Sequence, residues 1–276
     1  TLSVALEIVS LNKINQPRGL QTMDYYDTAE NVTLTKAQAY VELERHNLEG
    51  DYDLFLKDVG DHRTYEAQQV LVNVKGSTCS RCYALKLQKL RPSVDKGWTN
   101  NLFKAEKMIS TNPKLWAKMV AFQIVRGCNK LGINEHRWFD SGDLQSVDML
   151  RAIILCAEIT PNIRHWLPTR EAKLVKDYRK QYGNEPSNLV IRVSATMISD
   201  KPISGHVNTS TVHRAGEEIH GKECLAYRTN KDAKVVDKVT FKAMTRPEKK
   251  EQDFGHCGDC RACWSKDVTN VSYPLH

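Results

Sequence analysis

Residues 163–194 read IRHWLPTREAKLVKDYRKQYGNEPSNLVIRVS, and this stretch decides the fold class. Ile163 to Leu167 is a short apolar run that leads into Pro168-Thr169-Arg170. Glu171 to Tyr182 follows with helical spacing and closes at Gly183. Leu189 to Val193 is a second apolar, β-branched run, and it leads into Ser194-Ala195-Thr196. Strand, loop, helix, strand is a parallel β/α unit. Short apolar strands of this kind suit a sheet buried on both faces.

The same rhythm extends outward. Lys114 to Lys130 carries Leu115, Met119, Phe122 and Val125 at helical spacing. Arg137-Trp138-Phe139 reads as a strand running into Asp140-Ser141-Gly142-Asp143. Ser146 is a natural N-cap for a helix over Val147 to Ile159, ended near Pro161. Cys82 to Leu90 begins a helical stretch, and Gln69 to Val74 (QVLVNV) reads as a strand before it. Further strands are expected over Cys224 to Arg228 and Val239 to Met244. Thr196 to Lys222 is polar and without clear period, as in a lid or insertion loop. Among the first 70 residues, Ser3 to Leu11 alternates as a strand does, Thr35 to Arg45 looks helical and Tyr52 to Val59 fits either.

The expected architecture is one α/β domain over residues 1–276. Residues 1–70 form an N-terminal part of uncertain structure. Residues 70–265 form parallel β/α units in a TIM-barrel-like, partial barrel with a cysteine-rich tail; a doubly wound open sheet is the alternative. In either fold the C-terminal strand ends face one cleft, and a metal site is expected there. Asp140, Asp143, Arg170 and Ser194 all follow strands, so they are the candidate catalytic residues. Asp143 also fits a turn and a helix cap, and Arg170 fits a carboxylate or phosphate clamp.

The eight cysteines carry the chemistry. Cys79-Ser80-Arg81-Cys82 is a C-x-x-C, and Cys257-Gly258-Asp259-Cys260-Arg261-Ala262-Cys263 is a C-x-x-C-x-x-C. A two-residue spacer lets the chain turn so that two thiolates meet one metal or one cluster edge. The triple spacing resembles iron–sulfur loops that a remote cysteine completes. Cys79, Cys82, Cys257, Cys260 and Cys263 are therefore the candidate ligands of one site, for a [4Fe–4S] cluster or, alternatively, structural zinc. Five cysteines stand against four places, and Cys257 or Cys263 is left out before either member of the first pair, because without that pair the tail has only three. A thioredoxin-like redox pair at Cys79 and Cys82 leaves the tail triple unexplained. Cys128 and Cys156 read as core; Cys224 reads as the start of a strand. His206, His213 and His220 recur every seven residues, but Gly205, Gly216 and Gly221 argue against one helix carrying them. His256 is a reserve ligand beside Cys257.

Composition bounds the partners. The net charge of +7 permits a nucleic-acid partner without demanding one, and the basic residues are scattered. No run approaches the roughly 18 apolar residues that span a membrane. Metal-ligand cysteine spacing in a chain of this size points to a reducing, cytoplasmic setting.

Several motifs occur together in a recognisable order: Cys79-Ser80-Arg81-Cys82-Tyr83-Ala84, Arg137-Trp138-Phe139-Asp140-Ser141-Gly142-Asp143, Thr169-Arg170, Ser194 and Cys257-Gly258-Asp259-Cys260-Arg261-Ala262-Cys263-Trp264. This order resembles the gene product eighty-eight type of mycobacteriophage protein, across roughly residues 70 to 265. Members of that family often carry a further cysteine upstream, where this chain has Lys75-Gly76-Ser77-Thr78. The resemblance implies a viral protein acting in a bacterial host cytoplasm, with a barrel-like fold and an iron–sulfur site. Its Cys82-Tyr83-Ala84 piece is similar to the cysteine loop of radical S-adenosylmethionine enzymes, although the full C-x-x-x-C-x-x-C loop is not present. Three functions are compatible with these features: a cluster-dependent redox enzyme acting on a small molecule or with an electron donor, a binding protein with structural metal, and a radical enzyme.

Overall fold

The computed structural model describes residues 73–139 and 142–275. The strand expected over Ser3–Leu11, the helix expected over Thr35–Arg45, the ambiguous stretch Tyr52–Val59, and Asp140 and Ser141 lie outside the described residues. Chain order is α1 (Tyr83–Leu90), α2 (Pro92–Thr111), α3 (Pro113–Leu131), β1 (Glu135–Arg137), α4 (Val147–Ile159), β2 (Arg164–Thr169), α5 (Ala172–Tyr182), β3 (Leu189–Ser194), β4 (Thr209–His213), β5 (Lys222–Glu223), α6 (Lys238–Ala243), α7 (Arg246–Gln252) and β6 (Asn270–Pro274). Six strands form one curled, all-parallel sheet in the order β1-β2-β3-β4-β6-β5, a half-barrel.

Local signals set the central elements. Asn112 accepts from Leu115 N at 3.0 Å to start α3, with Pro113 at its first position, where the missing N–H costs nothing. Gly132 ends α3 at φ 64°, a conformation that side chains with a Cβ avoid. Ser146 accepts from Met149 N at 3.0 Å to start α4, and Gly183 at φ 87° ends α5.

Strand alternation sorts the two faces of the sheet. Leu167, Leu189, Ile191 and Val193 join the core formed with α3, α4 and α5, among Val120, Ile124, Ile153 and Val175. Trp166, paired with Val190, and Pro168, paired with Arg192, occupy the opposite face. There the 3-10 turn Ala262–Trp264 packs on β2 and β3, with Trp166 and Trp264 edge to face at 5.2 Å. The C-terminal tail thus covers the face that the helices leave.

The strands expected over Arg137–Phe139, Cys224–Arg228 and Val239–Met244 differ from the structure. The strand expected over Arg137–Phe139 is Glu135–Arg137: Trp138 N still reaches Trp166 O at 2.8 Å, but Phe139 turns out of the sheet at φ 55°. Of the strand expected over Gln69–Val74, only Asn73 and Val74 are described, and Val74 O accepts from Ser77 N in a turn. Pairing near Cys224 stops at Glu223, and Ala226–Arg228 is a 3-10 turn. Val239–Met244 is helical instead, because Asp237 caps it by accepting from Val239 N and Thr240 N at 3.0 Å each. Inside the polar stretch 196–222, β4 is a full strand. Its buried threonines are satisfied by side chains of β6, with Thr209 Oγ1 donating to Asn270 Oδ1 at 2.8 Å and Thr211 bonded to Ser272 at 3.1 Å. None of the described helices is long and apolar enough to cross a membrane.

Candidate functional site: two cysteine groups on one sheet

The first group lies at the C-terminal strand ends. Thr78 N and Thr78 Oγ1 donate to Thr196 O at 2.9 and 3.1 Å, and Ile198 N donates to Gly76 O at 2.8 Å. These bonds stitch the loop before Cys79 to the segment that follows β3. The 3-10 turn Cys79–Arg81 is closed by Cys82 N donating to Cys79 O at 3.0 Å, and Cys82 then stands at the N-terminus of α1. Arg170, just past β2, donates from Nη1 to Cys79 Sγ at 2.8 Å. Asp143, past β1, accepts from Leu144 N and Arg170 N at 2.7 Å each and from Thr169 Oγ1.

Sequence order spreads Cys79, Asp143 and Arg170 over 91 residues, and the fold joins them through the Arg170 side chain and backbone. Ser194, at the end of β3, shares a hydrogen bond of 2.8 Å with Ser210. Burial pushes the Asp143 carboxyl up from the usual carboxylate range despite its three donors and Arg170. Burial also raises the Cys79 thiol, with the Arg170 guanidinium pulling the other way.

The second group lies in the tail. Cys260 N donates to Cys257 O at 3.0 Å, so the C-x-x-C closes as a turn. Gly258 adopts φ 53°, and a Cβ there would sit 3.2 Å from Ala233. Arg261 folds back, donating to Gly258 O at 2.6 Å and pairing through Nε with Glu135 at 3.0 Å. Arg192, fully buried, donates to Cys263 O at 3.1 Å and to Ala262 O and Ser265 O at 2.8 Å.

Cys224 belongs with this group. Its N–H donates to Ser272 O at 2.8 Å, and the next residue on β6, Tyr273, shares a hydrogen bond of 3.2 Å with Cys263 Sγ. The segment after Cys224 docks on the chain before Cys257: Gly255 N donates to Ala226 O and Thr229 O at 3.1 and 3.2 Å, and His256 N to Thr229 O at 3.3 Å. Burial and the charges of Cys224 and Cys260 raise the Cys257 thiol to about 11. Burial raises Cys263 to about 12, against the bond from Tyr273. Cys224 itself is raised by burial, with Cys260 adding to it. Among the described residues, no three His, Cys, Asp or Glu side chains stand ready around a single-ion position.

The model of the gene product 88 family matches residues 66–266. The chain belongs to the gene product 88 family. The family match spans both cysteine groups and Cys224. No curated protein and no solved structure matches the chain.

The remaining candidates are separated by the fold. Cys128 and Cys156 are buried in the helix-side core, and burial raises Cys128 to about 12. His213 lies on β4 and bonds Ser272 through Nδ1 at 2.7 Å, while His206 and His220 lie in the loops on either side of that strand. The seven-residue spacing therefore corresponds to no helix. His256 pairs with Asp253 at 3.5 Å. Cys224 was the functional candidate without a signal in its spacing: it stands 33 residues before Cys257, in no motif.

Proposed function

We propose that this family member is an iron–sulfur protein whose [4Fe–4S] cluster is held by Cys224, Cys257, Cys260 and Cys263. The docking of the Cys224 segment on the tail is the observation that carries this reading. It supplies a fourth thiol to a C-x-x-C-x-x-C that already resembles a cluster loop. The sequence alone keeps both Cys79 and Cys82 as ligands and leaves out Cys257 or Cys263; the packing favours Cys224 with the whole tail triple instead.

The chemistry of the donors suits the group. All four donors are soft thiols, which suit iron–sulfur clusters and zinc. Burial and neighbouring cysteines raise Cys224, Cys257 and Cys263 as free thiols, and a polycation among them relieves that repulsion. A bound cluster supplies one-electron chemistry. The chain's own residues tune it: Tyr273 bonds the Cys263 sulfur, Arg137 and Arg261 offset charge at Cys257, and Arg192 fixes the turn that carries Cys263.

Asp143, Arg170 and Ser194 at the strand ends, with Asp140 close to Asp143 in sequence, are proposed as the substrate side of a cluster-dependent redox enzyme. A bacteriophage origin and action in the host cytoplasm complete the proposal. Protein purified without oxygen should be brown, be bleached by dithionite, and contain about four irons and four sulfides per chain. Colourless protein carrying one zinc per chain would refute the reading.

A further inference from the structure

We propose that Cys79 and Cys82 form a reversible dithiol–disulfide couple that exchanges with substrate disulfides, and that they do not ligate the cluster. This inference rests on Cys224 filling the fourth ligand place, which leaves the C-x-x-C at the strand ends without a metal role. Three observations support it. The hydrogen-bonded turn from Cys79 O to Cys82 N holds the two Cα atoms within about 7 Å, inside the span a disulfide bridges. The two thiols differ in access: Cys79 is buried and Cys82 is half-buried. Finally, Arg170 donates directly to Cys79 Sγ, while its Nε is buried without a partner among the described residues.

The roles follow from that asymmetry. Cys82, the more accessible sulfur at the N-terminus of α1, loses its proton to solvent and attacks a substrate disulfide R–S–S–R. One RS⁻ leaves and takes up a proton, and a Cys82–S–S–R mixed disulfide remains. Cys79 then gives up its proton, attacks the Cys82 sulfur and expels the second RS⁻, which is also protonated. The substrate gains two electrons and two protons, and the couple ends as the Cys79–Cys82 disulfide. In the reverse direction Cys79 leaves as a thiolate against the Arg170 guanidinium, which stabilises it.

The experiment uses the whole chain, purified without oxygen, in buffers of reduced and oxidised glutathione, followed by maleimide labelling and mass measurement. Wild-type protein should lose two labelled thiols together, in one two-electron step. Cys79→Ser should instead trap one glutathione on Cys82, because the resolving sulfur is gone. The double variant Cys79→Ser/Cys82→Ser should lose the step and keep the iron content of wild type. Loss of iron in that folded double variant overturns the inference, since the pair then ligates metal. A wild-type pair that stays reduced across the whole glutathione series also overturns it. The thiol titration reads out whether or not iron is bound, so its failure is distinct from failure of the cluster reading.

Discussion

Replacing Arg192 by methionine should release the tail from the sheet. Arg192 is fully buried and makes four hydrogen bonds to carbonyl oxygens, those of Cys263, Thr209, Ala262 and Ser265. Three of the four acceptors lie in or beside the turn that carries Cys263. Bonds from a charged donor contribute about 1.5–3 kcal/mol each, so the gross loss is roughly 6–12 kcal/mol. Keeping a guanidinium out of water costs several kcal/mol, and methionine removes that cost. The expected net destabilisation is about 3–5 kcal/mol, a large share of the ~5–15 kcal/mol that holds a domain folded. Urea denaturation followed by far-UV circular dichroism reads the global effect. Iron release to a chelator reads the tail, and it should speed up by at least about tenfold, since ~1.4 kcal/mol already gives that factor. Arg192→Lys should recover part of the loss, because an ammonium keeps three donors but not the planar fork. A methionine variant within about 0.5 kcal/mol of wild type, with unchanged iron release, would show that Arg192 does not hold the tail.

Three further outcomes are expected. His136 and His165 are buried against each other and Trp138, and burial holds His165 down at about 3 and His136 well below its usual range. The unfolded chain therefore takes up protons first as pH falls below about 6.5, and stability should fall by roughly 2 kcal/mol per histidine between pH 7 and pH 5; urea midpoints in which His165→Gln keeps the full pH dependence would contradict this. Gly221 has φ +74°, and a Cβ there would sit 2.5 Å from Asn270 O, so Gly221→Ala should cost about 1–3 kcal/mol in thermal denaturation. Gly216→Ala, with φ +90° and open space, should cost less, and equal costs would refute the contact argument. Asp143→Asn removes one of the acceptor oxygens shared by Leu144 N, Thr169 and Arg170 N, and a loss of about 1–3 kcal/mol is expected; a neutral effect in urea would show that the carboxylate does not organise the strand ends.

The legible parts of the fold were those written in local signals. Ser146 and Gly183 mark the ends of α4 and α5, and the apolar runs at 163–167 and 189–193 mark the central strands. The edges were harder to read. Thr209 to His213 is a strand whose buried side chains are polar, with Thr209, Thr211 and His213 paired across to β6, so no apolar run announces it. Lys238 to Ala243 carries β-branched and aromatic residues but lies under the cap of Asp237, and its local hydrogen bonds outweigh β propensity. The candidate site shows the same division. Asp143, Arg170 and Ser194 sit at strand ends because β/α order puts them there. Cys224 joins the tail through its N–H bond to Ser272 O on β6 and through loop-to-loop bonds, contacts between segments that lie far apart in sequence.

Iron and sulfide analysis with EPR spectroscopy, on Cys224→Ser beside wild type and a Cys128→Ala control, tests the central claim most directly. Wild type and Cys128→Ala should each hold about four irons with the spectrum of a reduced [4Fe–4S] cluster, while folded Cys224→Ser should lose or degrade it. A Cys224→Ser variant with the iron content and spectrum of wild type would contradict the account.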